Sequence, residues 1–174
     1  MEWKTYLKDI IDNSIYDQCL YIVLSPDMDG LVSVLILREY VKQIHNANIC
    51  IVGSYDSETL YVNNTLPNVD TLVSKSLFVD LDVRFPFANH AVGQHLLGKI
   101  TLRKNTFNPN MFFNVFETRK KFPMGTAHFL LWGLFEHEQD AFPILGREKW
   151  SLARSALVHA DSLYIVAKKY KTNV

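Results

Sequence analysis

An alternation of hydrophobic pattern near the start of the chain constrains the fold most. Trp3, Tyr6, Leu7, Ile10, Ile11 and Ile15 recur at helical spacing, and Cys19–Leu24 is a continuous apolar run. Leu31, Val34, Leu35, Leu37, Tyr40, Val41 and Ile44 then return to helical spacing. An unbroken apolar run of that length is too short for a helix and reads as a strand buried on both faces. Residues 48–52 form a second such run, so the opening order is helix, strand, helix, strand. A right-handed βαβ unit follows, and with it an α/β fold of three layers, α/β/α, around a mainly parallel sheet.

The rest of the chain extends the pattern. Leu77–Val79 predicts another strand, and residues 124–135 an apolar helix opening at Gly125 and Thr126, where a hydroxyl is placed to cap free amides. Residues 148–160 and 162–171 predict two more helices. Residues 54–74 read as polar turns marked by Asn63-Asn64 and Pro67-Asn68, and residues 85–110 carry no clear period. With 174 residues, 48% of them hydrophobic, a single domain over 1–174 is expected.

Lysine plus arginine equals aspartate plus glutamate at 18 each, which supplies neither a global basic field for nucleic acid nor an acidic tail. Cys19 and Cys50 lack C-x-x-C spacing and read as buried free thiols. No apolar run reaches membrane-spanning length and the N-terminus has no signal pattern, so a cytoplasmic location is expected.

Chemistry concentrates in Ser25-Pro26-Asp27-Met28-Asp29-Gly30, which lies between the first strand and the second helix. Ligands in open α/β sheets bind outside the carboxyl ends of the strands. Two carboxylates about 4 Å apart repel by roughly 4 kcal/mol at an effective dielectric near 20. A hard divalent cation turns that repulsion into binding. Asp80 and Asp82 repeat the arrangement after Leu77–Val79, and Asp161 follows a predicted helix. Each of these aspartates taken singly is also an ordinary turn residue. His45 reads as a helix-end imidazole favoured by the dipole, Asp56 as a turn cap or a further edge carboxylate, and His128 as a surface or core-edge residue.

Ser-Pro-Asp-Met-Asp-Gly-Leu-Val-Ser, between a strand and a helix, resembles the first motif of the DHH phosphoesterases. Phe78-Val79-Asp80 is similar to the second motif, and Gly93-Gln94-His95 lies near the place of the Asp-His-His signature. Lys121-Phe122-Pro123-Met124-Gly125-Thr126-Ala127 resembles the stretch before the family's penultimate helices. Leu157-Val158-His159-Ala160-Asp161-Ser162 resembles the fourth motif. The resemblance implies a hydrolase acting on a small phosphodiester, such as a short oligonucleotide or a cyclic nucleotide, with one or two Mn²⁺ or Mg²⁺ ions. Asp27 and Asp29 would hold one ion each, Asp80 would bridge them, and His95 and Asp161 would complete the second site, with Asp27, Asp29, Asp80 and His95 catalytic.

By location, Arg84, Lys99, Arg103 and Lys104 are candidate phosphate contacts, and His90 a candidate to stand in for the reduced signature at the substrate. The histidine that many members carry before the first aspartate is absent, Val23 and Ser25 holding its possible places, and Gly93 replaces the signature aspartate. The family's smaller C-terminal domain has no counterpart in this sequence. These departures carry a second expectation: a catalytically impaired relative that binds a nucleotide or a protein partner. A homodimer, or a partner protein supplying the missing substrate domain, is expected on the same ground.

Overall fold

Strand β2 (Cys19–Leu24) is the strand around which the sheet is organised, and it shows why its sequence is apolar throughout. Leu20, Ile22 and Leu24 enter one hydrophobic cluster, while Val23 enters a second on the opposite face. Both faces are covered, so no position alternates to polar. The structure is a computed structural model that describes residues 3–56, 58–81, 90–93, 105–109 and 125–136.

The element order begins with α1 (Trp3–Asp12), β1 (Ile15–Tyr16), β2, α2 (Met28–His45), β3 (Asn48–Tyr55) and β4 (Leu60–Val62). It continues through α3 (Val69–Lys75), β5 (Leu77–Val79), β6 (His90–Val92), β7 (Thr106–Phe107) and α4 (Thr126–Leu134). The strands form one seven-stranded sheet in the order β4-β3-β2-β5-β6-β7, with β1 paired to β2. The pairs β2–β3, β2–β5, β5–β6 and β6–β7 are parallel; β1–β2 and β3–β4 are antiparallel. The α/β class and the mainly parallel sheet read from the sequence are thus present.

Three local readings change. Ile15 leaves the helix: α1 ends at Asp12, and Ile15 pairs with Leu20 in a hairpin closed by Asp17 and Gln18, at φ 51° and 58°. Positive φ at both central residues is the primed turn that matches strand twist. β1 meets only Cys19 and Leu20, the part of β2 that β5, paired from Ile22 onward, leaves open. The supposed turn region after Ser54 holds β4 and α3 as well as turns. β3 runs on to Tyr55, bending at a register shift opposite Ile22/Val23. The helices expected over 148–160 and 162–171 lie outside the described residues.

Side chains of α1, α2 and α4 build the larger cluster, around Leu7, Ile11, Ile36, Leu37, Phe129 and Leu130. Val73 of α3 joins Val23, Val52, Phe78 and Ala91 in the smaller one. Trp3 of α1, Phe107 of β7 and Phe129 of α4 pack ring against ring at 6.1–6.4 Å between centroids, which fixes α4 beside α1. Tyr40 of α2 meets Phe135, just past α4, edge-on at 6.3 Å. Among the described residues no helix is long and apolar enough to cross a membrane.

Candidate functional site

The strand order supplies the site's location. From β2 the chain steps to β3 on one side and later returns to place β5 on the other, so the switch point of the sheet falls between β2 and β5. A crevice opens at such a point outside the carboxyl ends of the strands. Asp27 and Asp29 follow β2 and Asp80 follows β5, so topology alone carries all three to this edge. The Ser25 amide donates to the Val79 carbonyl at 3.0 Å, and the Asp80 amide to Val92 at 2.8 Å, which extends the ladder into the site.

Asp27 is the N-cap of α2, with extended backbone at φ −117° and ψ 179°. Its Oδ1 accepts from the Gly30 amide at 2.9 Å and its Oδ2 from the Ser25 hydroxyl at 2.8 Å. Gly30 allows this tight turn, because a Cβ there would collide with the Ser25 carbonyl oxygen. Met28 of the same turn is 59% exposed, so the motif's apolar residue faces outward.

Asp29, in the first turn of α2, reaches across to α4. Its Oδ2 accepts from the Thr126 amide at 2.7 Å and its Oδ1 from the Ala127 amide at 2.9 Å. Gly125 is the backbone N-cap of α4 and contributes no side-chain cap. The free amides that every helix start leaves are met here by a carboxylate from another helix, at the positive end of the dipole. The capping role expected for the Thr126 hydroxyl therefore falls to Asp29. The hydroxyl donates instead to Asp80 Oδ1 at 2.6 Å, so Thr126 holds two of the three carboxylates.

Asp80 carries the electrostatic signature. Its backbone is left-handed at φ 57°, a conformation that aspartate and asparagine tolerate better than most residues. Burial pushes its carboxyl up from 3.8 to about 8, with the charges of Asp29 and Asp27 and a hydrogen bond shared with Asp27 adding to the rise, while the Thr126 hydroxyl opposes it. The group thus keeps its proton at neutral pH, which limits repulsion among three neighbouring carboxyls.

His90 is not brought to this cluster. It pairs with Leu77, at the start of β5, whereas Asp80 follows the end of that strand. The ring is buried; Nδ1 lies 2.7 Å from Ser14 Oγ, which itself donates to the Ile10 carbonyl, and Nε2 lies 3.5 Å from Asn105 Nδ2. Burial holds its pKa below the ordinary histidine value. A neutral structural imidazole, joining α1 to the sheet, is its place in the fold.

His95, Asp161, Arg84, Arg103 and Lys104 lie outside the described residues. Asp56 caps its own turn, accepting from the Glu58 and Thr59 amides at 3.1 and 2.9 Å. His45 Nε2 pairs with Asp12 Oδ1 at 2.8 Å, tying the end of α2 to the end of α1. Among the described residues, no group of three or more histidine, cysteine, aspartate or glutamate side chains is disposed to hold a metal ion. No protein family, curated protein or solved structure matches the chain.

Proposed function

We propose that the Asp27–Asp29–Asp80 cluster is a divalent-cation site in a DHH-phosphoesterase-like α/β/α domain, and that the chain hydrolyses a small phosphodiester there. The observation that carries this reading is geometric: Asp27 and Asp29 after β2 and Asp80 after β5 meet at one strand edge, with Thr126 bonded to both Asp29 and Asp80. Three carboxyls at one edge supply the oxygen donors that a hard cation takes, and the charges of Asp29 and Asp27 add to the burial that raises the Asp80 carboxyl. Asp27, Asp29 and Asp80 would hold Mn²⁺ or Mg²⁺, whose contribution when bound is to lower the pKa of a water and neutralise charge on the phosphoryl group. Thr126 keeps Asp29 and Asp80 in place, and Asp27 fixes the turn that presents Asp29.

Titration with Mn²⁺ tests this. Binding raises thermal stability by mass action, about 2.7 kcal/mol at a hundredfold excess over Kd, and a panel of short oligonucleotides and cyclic nucleotides is turned over. Asp27→Asn keeps a good N-cap while removing a charge, so it should fold normally yet lose cation affinity and hydrolysis together. Unchanged affinity and turnover in Asp27→Asn and Asp80→Asn would sink the assignment.

A second reading is a domain that binds a nucleotide or a protein partner without turnover. Asp29 favours it: both its oxygens are engaged by α4, and the described carboxylates do not form a ready three-ligand set. Chromatography of the same panel after incubation with Mn²⁺ separates the two readings, by product or by retention without product.

A further inference from the structure

Two polar side chains, one on α2 and one on α4, have no hydrogen-bond partner among the described residues: the Ser33 hydroxyl and the His128 imidazole, at both ring nitrogens. Ser33 is 0% exposed, and the His128 nitrogens are equally shielded. Buried polar groups are nearly always paired, with protein or with ordered water. A serine inside a helix commonly satisfies itself on the carbonyl four residues back. Ser76, the C-cap of α3, makes this bond to Leu72, and Ser33 does not.

The helices place both groups at one level. α2 and α4 run side by side in the same direction: their starts are joined where Asp29 receives the α4 amides, and their ends where Tyr40 meets Phe135. Ser33 belongs to the stripe of α2 that carries Asp29 and Tyr40, about one turn past the first and two turns before the second. His128 lies about two turns before Phe135 on the same side of α4. Equal offsets from the Tyr40–Phe135 contact and slightly unequal ones from the Asp29 clasp put the hydroxyl and the imidazole within about one turn of each other in height.

We propose that Ser33 and His128 hold an internal water between α2 and α4, about one turn behind the Asp29 carboxylate. A hydroxyl and a neutral imidazole each offer a donor and an acceptor, which meets the minimum of two polar partners for a buried water. The site fastens α4 to α2 below the Asp29 clasp and owes nothing to a bound cation.

Nuclear magnetic resonance of the full chain should show cross-relaxation between the His128 ring protons and a long-lived water, lost in Ser33→Ala. In thermal unfolding, Ser33→Ala and His128→Leu should each lower Tm by about 2–4 °C, the size expected for a modest single-site loss in a chain of this length. The double variant should fall no further than the worse single one, because the second removal leaves no water to strand. Additive losses overturn the proposal. Coupling without the water signal also overturns it, since that is a direct hydroxyl–imidazole bond. If a variant does not fold, the wild-type water signal decides: present it supports the site, absent it refutes it.

Discussion

Replacing Asp80 by asparagine should make the metal-free protein more stable at neutral and alkaline pH. The carboxyl titrates at about 8 in the folded chain, against an ordinary value of 3.8. A folded-state value above the unfolded one means that the stabilisation is fully present below pH 3.8 and is lost as pH rises through about 8. At about 1.36 kcal/mol per pH decade, the span sets a ceiling of about 6 kcal/mol. That ceiling is comparable with the whole stability of a small domain, roughly 5–15 kcal/mol. Asp80 is half-buried rather than fully buried, which reduces it, and a loss of about 2–4 kcal/mol between pH 5 and 9 is the working figure. Asparagine keeps a carbonyl oxygen for the Thr126 hydroxyl and accepts the left-handed backbone, so the variant removes the charge with little else. Urea unfolding in chelator at pH 5, 7 and 9 measures both proteins. The wild-type midpoint should fall with pH and the Asp80→Asn midpoint should stay nearly level, the curves diverging above pH 5. Parallel curves would show that Asp80 is not the titrating group.

Four further outcomes follow from the geometry. Thr126→Val, which deletes the hydroxyl that opposes the rise at Asp80, should move that group's titration higher by carbon-detected resonance, and should cost about 1–2 kcal/mol. Ser14→Ala should also cost about 1–2 kcal/mol, by removing the partner of His90 Nδ1. His90 titrates below its ordinary 6.5 when folded, so its contribution holds above that pH and is lost as pH falls through the folded value, with a histidine signal in the resonance titration to confirm it. Gly30→Ala should be destabilising by about 1–3 kcal/mol in denaturant melts, because the new methyl meets a backbone carbonyl rather than a movable side chain; a neutral result would mean that the turn after β2 yields easily.

The sequence pattern carried what depends on local periodicity and not what depends on distant partners. β2 and β5 match their apolar runs because both faces of each are covered; α2 forms where helical spacing placed it, but Leu31, Leu35 and Ile44 of its expected apolar stripe are exposed and Ile36, outside that stripe, is buried. The β1–β2 turn was illegible because Asp17-Gln18 lacks the glycine that usually marks a primed turn. β4 was hidden because Leu60–Val62 is only three residues long between polar turn signals, and α3 because Val69–Lys75 mixes apolar residues with polar ones. At the site, two strand-end aspartate motifs predicted a shared edge, and strand order supplied it. Thr126 was visible only as a helix start; nothing local to residues 124–127 shows which anion will meet its amides. His90 looked available because its sequence neighbourhood is silent about Ser14 and Asn105, which hold it.

The contact between Asp29 and the start of α4 spans 97 and 98 positions of the chain. Closing a loop of that size carries an entropic cost before any bond is formed, so contacts of this kind tend to be made late in folding. The Asp29 clasp is therefore expected to close after the local β2–α2–β3 unit has formed. Asp29→Ala should accordingly speed unfolding and leave the refolding rate nearly unchanged in stopped-flow chevrons. A slowed refolding limb would instead place the clasp in the nucleus. Ordered this way, the part of the molecule with the most chemistry is also the first to come apart.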